Sequence, residues 1–419
     1  MIIIEIIVLI SLIGFMAVIY YYQRDVIYPA FVFCFIWTIQ IAGLIIFQNL
    51  FIPLSPDVLL IVLTGILFFT IGCFVGSRKA IYISDKWRLT IREIQCNKIF
   101  HIVAIIILLW ALWNIYLIAS NVWSGDSLLL KLISLRKAIG KDRTPGGYFG
   151  IFSYFSSIVF VLTILAFFSK MKADKKVFKY EIVFYLYLII FLGMSFFSTG
   201  RGNMLKIFIV IAFSYIYLVR PKPKKFCKVF FLLVFFAFFL FWSGGILLHK
   251  GDNSNFYSVL KSIALYQFSP LPALSIFLQS KHDLFFGQYT FRFFPAVLKA
   301  IGFDVEVKKR VLDFVHIPNR TNIYTFYYSY ISDFGVISVG FFPFIIGLIH
   351  GQIYKKALLA KNNDFIGFIF VVSFLPLLNS TGGEAYFSML STWIQYLFFA
   401  YIFTRKMSTR LLFQAKSIG

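Results

Sequence analysis

Residues 2–22 read IIIEIIVLISLIGFMAVIYYY, an apolar run in which Glu5 is the one acidic or basic side chain. A helix rises about 1.5 Å per residue, so this run is long enough to cross the roughly 30 Å of hydrocarbon in a bilayer. It has neither a basic leading segment nor a small-residue cleavage site, and it reads as a retained transmembrane helix rather than a signal peptide. Ten further runs repeat the pattern, at 28–47, 58–75, 99–120, 150–168, 182–197, 204–219, 226–248, 332–354, 365–378 and 385–403. The expected fold is an all-α polytopic membrane protein of about eleven transmembrane helices.

Composition leads to the same reading. The 419 residues are 60% hydrophobic and 21% aromatic, with only 14% charged. The mean hydropathy is +0.85. One globular core cannot bury that much apolar surface, so lipid must solvate most of it. A formal net charge of +23 would suggest nucleic acid in a soluble protein. Here most lysines and arginines fall between the apolar runs, where an anionic membrane explains them, and no nucleic-acid partner is expected.

The basic clusters orient the chain. Arg78, Lys79, Lys86, Arg88, Arg92 and Lys98 form one; Lys170 to Lys179, Arg220 to Lys228, Lys355 to Lys361 and the tail from Arg405 to Lys416 form the others. They alternate with connections that are short or poorer in base, which places the clusters in the cytoplasm, the N-terminus outside and the C-terminus inside. The chain then divides into 1–248, with helices one to eight and an outside loop at 121–147; 249–330, a long outside loop; and 331–419, with helices nine to eleven and a cytoplasmic tail. Cys34, Cys73, Cys96 and Cys227 fall in the cytoplasmic half without metal-ligand spacing, so no disulfide is expected.

The long loop is not a polar linker. Residues 256–278, broken by Pro270 and Pro272, and 285–301, broken by Pro295, mix apolar, aromatic and basic side chains as interfacial helices do. They are expected to lie on the bundle and touch lipid headgroups. No internal repeat is visible, which disfavours the inverted-repeat transporter folds.

Three polar clusters stand at the outside face. In Ser198-Thr199-Gly200-Arg201-Gly202-Asn203, glycines flank an arginine at a helix start, where backbone N–H groups and a guanidinium can grip an anion; a snorkelling arginine in a tight turn is the alternative. From His316 the chain reads HIPNRTNIYTFYYSYISDFG to Gly335. If a helix begins near Asn322, then Asn322, Thr325, Ser329 and Ser332 or Asp333 share one face and run as a polar stripe into the membrane. Such a stripe faces a cavity or a neighbouring helix, and Asp333 is its costliest member. In the third cluster, 379–384, Glu384 either orients a hydroxyl, pairs with an arginine or caps a helix start. The histidines form no zinc pattern, and no metal is expected.

The Ser-Thr-Gly-Arg-Gly run at 198–202, and Asn322-Ile-Tyr-Thr followed by YSYISDFG at 328–335, resemble the oligosaccharide repeat-unit polymerases (Wzy type, O-antigen polymerase). The resemblance implies an enzyme of the bacterial inner membrane that polymerises undecaprenyl-pyrophosphate-linked repeat units on the periplasmic side. It also implies a chain-length regulator and a flippase of the same pathway as partners. Carried onto this sequence, it makes Arg201, Arg292, Arg310 and Arg320 the candidate pyrophosphate cations, with Asn322, Tyr324 and Tyr328 as further substrate contacts. His316, Asp333 and Glu384 become the acid–base candidates. Related O-antigen ligases place a histidine where this chain has Thr321, so their base does not transfer by position. No cofactor is implied, since arginines can take the part of magnesium and the outside loops hold no DxD pair. A flippase for the same lipid-linked sugars and an O-antigen ligase are the competing readings.

Overall fold

The computed structural model describes residues 2–78, 98–125, 127–141, 148–173, 178–199, 201–221, 223–247, 256–280, 283–309, 312–360 and 363–415. Among these residues the regular secondary structure is helical apart from one short hairpin. In chain order the elements are α1 (Ile2–Gln23), α2 (Pro29–Ile46), α3 (Pro56–Gly76), α4 (Lys98–Ser120), α5 (Leu128–Lys141), α6 (Phe152–Lys172), α7 (Phe178–Phe197), α8 (Arg201–Val219) and α9 (Pro223–Leu247). There follow α10 (Phe256–Phe268), α11 (Pro270–Gln279), α12 (Phe293–Ala300), β1 (Val315–His316), β2 (Arg320–Thr321), α13 (Phe326–Phe334), α14 (Ser338–Leu359), α15 (Asp364–Asn379) and α16 (Leu390–Ala415).

The chain is an all-α polytopic membrane protein. Seven helices among the described residues are long and apolar enough to cross a bilayer: α1, α2, α3, α4, α6, α7 and α8 from Gly202. The four remaining apolar runs overlap α9, α13 with α14, α15 and α16. α15 has only 16 residues, and α14 carries Pro343 and His350 among its apolar side chains. Proline sets several helix starts because its missing N–H costs nothing in the first turn: Pro29 opens α2, Pro56 opens α3 behind Ser55, and Pro270 opens α11.

Two expectations about local structure need correction. The helix that carries the polar stripe begins at Phe326, not near Asn322, because Thr325 is its extended N-cap and the hairpin just before holds the chain out of helix. The ninth apolar run is not one helix: Gly335, at φ +75°, separates α13 from α14. Only glycine takes that conformation without strain. The loop 121–147 also contains a helix, α5, which its sequence pattern did not predict.

Two compact units emerge. The first comprises residues 1–86, 255–359 and 373–390, so it holds α1 to α3, the loop elements α10 to α12, the hairpin, α13, α14 and the end of α15. Its centre is the α3–α14 pair, where glycine lets the backbones meet. A Cβ on Gly72 would lie 2.2 Å from the Phe344 carbonyl oxygen and one on Gly76 2.3 Å from that of Leu348. From the other helix, Gly347 would strike the Phe69 oxygen at 2.1 Å and Gly351 that of Cys73 at 2.3 Å. Lipid supplies no hydrophobic drive between helices, so such close small-residue contacts supply the adhesion. Rings fill the space beside them: Phe33 stacks on Phe69 at 4.1 Å, and Trp37 meets Tyr327 at 5.2 Å.

The second unit comprises residues 87–254, 360–372 and 391–419. Its described helices pack α6 on α7, with α4 and α8 beside them. Several polar groups inside it are paired with one another, as the low dielectric favours. His101 Nδ1 lies 2.8 Å from the Tyr187 hydroxyl, Ser157 donates to Gln395 at 2.8 Å, and Lys172 is ion-paired with Asp364.

Candidate functional site

The site is built in the first unit, on residues 283–309 and 312–334. β1 and β2 form a tight antiparallel hairpin in which His316 is the register partner of Arg320 and Val315 that of Thr321. Alternation along the strands sends side chains to opposite faces. His316 and Arg320 are exposed while Thr321 is buried. Thr321 Oγ1 lies 2.9 Å from Ser269 Oγ on the α10–α11 junction and accepts from the Ile323 amide at 3.3 Å. The residue at the ligase-histidine position is therefore an internal anchor. The hairpin is further tied to the 47–51 segment by the Phe51–Pro318 bridge and by Asn319 Nδ2 donating to the Leu50 carbonyl.

Beyond the hairpin runs a track of rings. Arg320 lies over the Phe314 ring, 4.1 Å from its centroid. The Tyr324 hydroxyl donates to the neighbouring Asp313 carbonyl at 3.3 Å. Tyr324 meets Tyr328 at 4.5 Å, Tyr328 meets Tyr289 at 5.7 Å, and Tyr289 meets Phe285 at 5.3 Å; Phe277 backs Tyr328 at 4.6 Å. At the far end Lys308 lies 4.7 Å over Phe285, and the Arg292 Nε–H donates to the Lys308 carbonyl at 2.6 Å. Lys308 thus stands over the last ring of the track and Arg320 over Phe314 near its start, each favoured by the ring quadrupole.

Protonation states follow from surroundings. Burial and the nearby Asp313 carboxylate push the Tyr324 hydroxyl up to about 12, so it remains a donor at neutral pH. A hydrogen bond from Lys308 to Glu306, at 2.9 Å, raises the ammonium further and keeps it charged.

The two carboxylates of the expected acid–base set are engaged in holding backbone. Asp333 is fully buried. Its oxygens accept from the Tyr289 amide at 3.1 and 3.2 Å and from the Thr290 amide at 2.6 Å. The carbonyls of Ser332 and Asp333 take the amides of Phe285 and Phe286, so the C-terminus of α13 clamps the whole 285–290 turn. Glu384 accepts from the amides of Tyr386, Phe387 and Ser388 at 2.7 to 2.9 Å and from the Tyr330 hydroxyl at 3.3 Å. It closes the turn that precedes α16. Burial pushes its carboxyl up and the backbone amides pull it part of the way back. Replacing Glu384 by Gln puts N–H groups opposite the Ser388 amide, and the unfolding free energy in detergent should fall by about 1–3 kcal/mol. Thermal unfolding followed by size exclusion measures it.

The other expected residues divide as follows. Asn322 and Tyr328 are half-buried beside the track. Arg310 lies outside the described residues. Arg201 opens α8 in the second unit, two residues after Thr199 at φ +51°. Tyr289, Phe285 and Lys308 complete the track and were not singled out in the sequence; they stand far along the chain from Tyr328, and only the general ring content of the loop hinted at them.

No family model matches the chain, and no solved structure matches it. It is 22% identical over 393 residues to a protein of Escherichia coli (strain K12) named "Putative O-antigen polymerase", covering 90% of this chain and 91% of that one. The chain is thus distantly related to the Wzy-type proteins that its motifs resemble.

Proposed function

We propose that this protein polymerises undecaprenyl-pyrophosphate-linked oligosaccharide units at the periplasmic face of the bacterial inner membrane, with its N-terminus periplasmic and its C-terminus cytoplasmic. The observation that carries this reading is the pairing of exposed His316 with exposed Arg320 at one end of a ring-lined track. Sugars stack on rings, a guanidinium fork matches pyrophosphate oxygens, and an exposed imidazole can take a proton. The remote likeness to the E. coli protein supports the same reading.

In the proposed reaction a sugar hydroxyl of the incoming unit attacks the anomeric carbon of the growing glycan. The carbon–oxygen bond to pyrophosphate breaks, the electron pair leaves with undecaprenyl pyrophosphate, and the hydroxyl proton passes to His316. Arg320 receives the charge that develops on the leaving group. Tyr324, Tyr328 and Asn322 bind sugar, and Arg292 and Arg310 supply positive charge for the pyrophosphate of the other lipid-linked unit. Asp333 and Glu384 act through the backbone they hold and are positioning residues. Arginine makes a metal unnecessary in this scheme. A chain-length regulator and the pathway's flippase are the expected partners.

The test is complementation of a polymerase-deficient strain that carries the matching sugar genes, read as polysaccharide ladders on gels. Wild type should restore a long ladder. Arg320→Ala and His316→Ala, at normal membrane levels, should collapse it to single units, as losing one stabilising group costs about 100-fold or more. No ladder from wild type would turn the reading to a transporter, and intact ladders from both variants would remove the hairpin from the site.

A further inference from the structure

Immediately beside the ring track the first unit exposes an apolar ledge. Phe286 is 80% and Ile337 89% exposed, with Phe294, Val336, Phe341 and Leu284 also outside. These residues meet at one corner: Leu284 packs against Gly335, and Phe291 touches both Phe294 and Phe334. α12, at the ledge's edge, buries none of its side chains.

The backbone there is unusual. Phe286 has φ +47°, a conformation that strains a bulky side chain and persists only where the surroundings enforce it. The enforcing contacts are its own amide and that of Phe285, bound to the Asp333 and Ser332 carbonyls at 3.1 and 3.0 Å. The result is a splayed pair. Phe285 turns to Tyr289 and Lys308, while the Phe286 ring projects outward. Strain held in order to expose a ring calls for an apolar ligand.

We infer that this ledge receives the isoprenoid chain of the lipid-linked substrate, at the point where its phosphate meets Lys308 and Arg292 and its sugars enter the ring track. The assignment rests on the polymerase reading. Its basis is order: hydrocarbon surface, cation and sugar-binding rings follow one another across Phe286, Lys308, Phe285 and Tyr289, as chain, phosphate and sugar do in such a lipid. An ordinary phospholipid has nothing to lay on the rings.

The test uses the full-length protein in vesicles with a polyprenyl monophosphate that carries a photoreactive group in its chain. Adducts are mapped by mass spectrometry. They should fall on the peptides holding Phe286 and Ile337, and excess unlabelled polyprenyl phosphate should suppress them while equal phosphatidylglycerol does not. Phe286→Asn, whose new side chain tolerates positive φ, should reduce labelling about tenfold, as should Ile337→Asn on the neighbouring element. Adducts spread along the spans, equal competition by phosphatidylglycerol, or labelling unchanged in both variants would overturn the ledge. Because labelling needs no turnover, ledge adducts in a preparation that lengthens no glycan would uphold the ledge and reject the polymerase.

Discussion

Gly347→Leu should leave no correctly folded protein in the membrane. Its Cβ would enter the Phe69 carbonyl at 2.1 Å, with Cys73 N at 3.1 Å behind it. Both obstacles are backbone of a neighbouring helix, so no side chain can swing aside. Separating α3 from α14 also breaks the matching contacts of Gly72, Gly76 and Gly351, which share one seam. Overpacking of a tight interior typically costs about 1–3 kcal/mol and more where nothing yields, a large part of the roughly 5–15 kcal/mol that holds a fold. Gly351→Leu should behave alike. Gly65→Ala, which meets the Tyr327 ring and not backbone, should be milder, and Gly14→Ala, with nothing within 4 Å, should be silent. Size-exclusion profiles of detergent extracts, ranked across the four variants, check the order. Equal behaviour of Gly347→Leu and Gly14→Ala would remove the seam from the account.

Asp333→Ala should abolish polymer formation while the spanning helices stay folded. It orphans the amides of Tyr289 and Thr290, at about 1–3 kcal/mol for each unsatisfied group, and releases the 289–290 end of the turn, while the Phe285 and Phe286 amides stay on the α13 carbonyls. Tyr289 then leaves the track and breaks it between Tyr328 and Phe285. Misplacement of positioning groups by about 1 Å costs on the order of 100-fold in rate. Asp333→Asn keeps one acceptor oxygen and should retain more activity, roughly a tenth of wild type by the same scale. Initial rates of glycan lengthening, beside limited proteolysis of the 283–309 region, separate the two effects: the Ala variant should be cut faster there and nowhere along α1 to α3. A fully active Asp333→Ala would mean that the turn takes no part in the reaction.

The spanning architecture is legible in sequence because lipid enforces it. A bilayer demands long apolar runs with every backbone group paired inside the helix, and residues 2–22 meet that demand without help from any neighbour. Pro270 marked the junction of α10 and α11 for an equally local reason. The hairpin was not legible, since its strands have two residues each, too few for alternation to register. The role of Asp333 was half legible. Its cost in an apolar setting was plain from the residue type, but its partner Thr290 lies 43 residues away, and no local pattern joins them. The Gly72–Gly76 and Gly347–Gly351 pairs did carry a signal, small residues four apart in apolar helices; among 26 glycines it became meaningful only when the two helices were seen together.

Polymerisation is tested by reconstituting the purified protein in liposomes with a defined undecaprenyl-pyrophosphate-linked repeat unit, then measuring glycan length and released undecaprenyl pyrophosphate together. The prediction is a ladder of lengthened lipid-linked glycans with one undecaprenyl pyrophosphate released for each linkage formed, lost in Arg320→Ala. Movement of intact units across the bilayer with no lengthening and no release would contradict it.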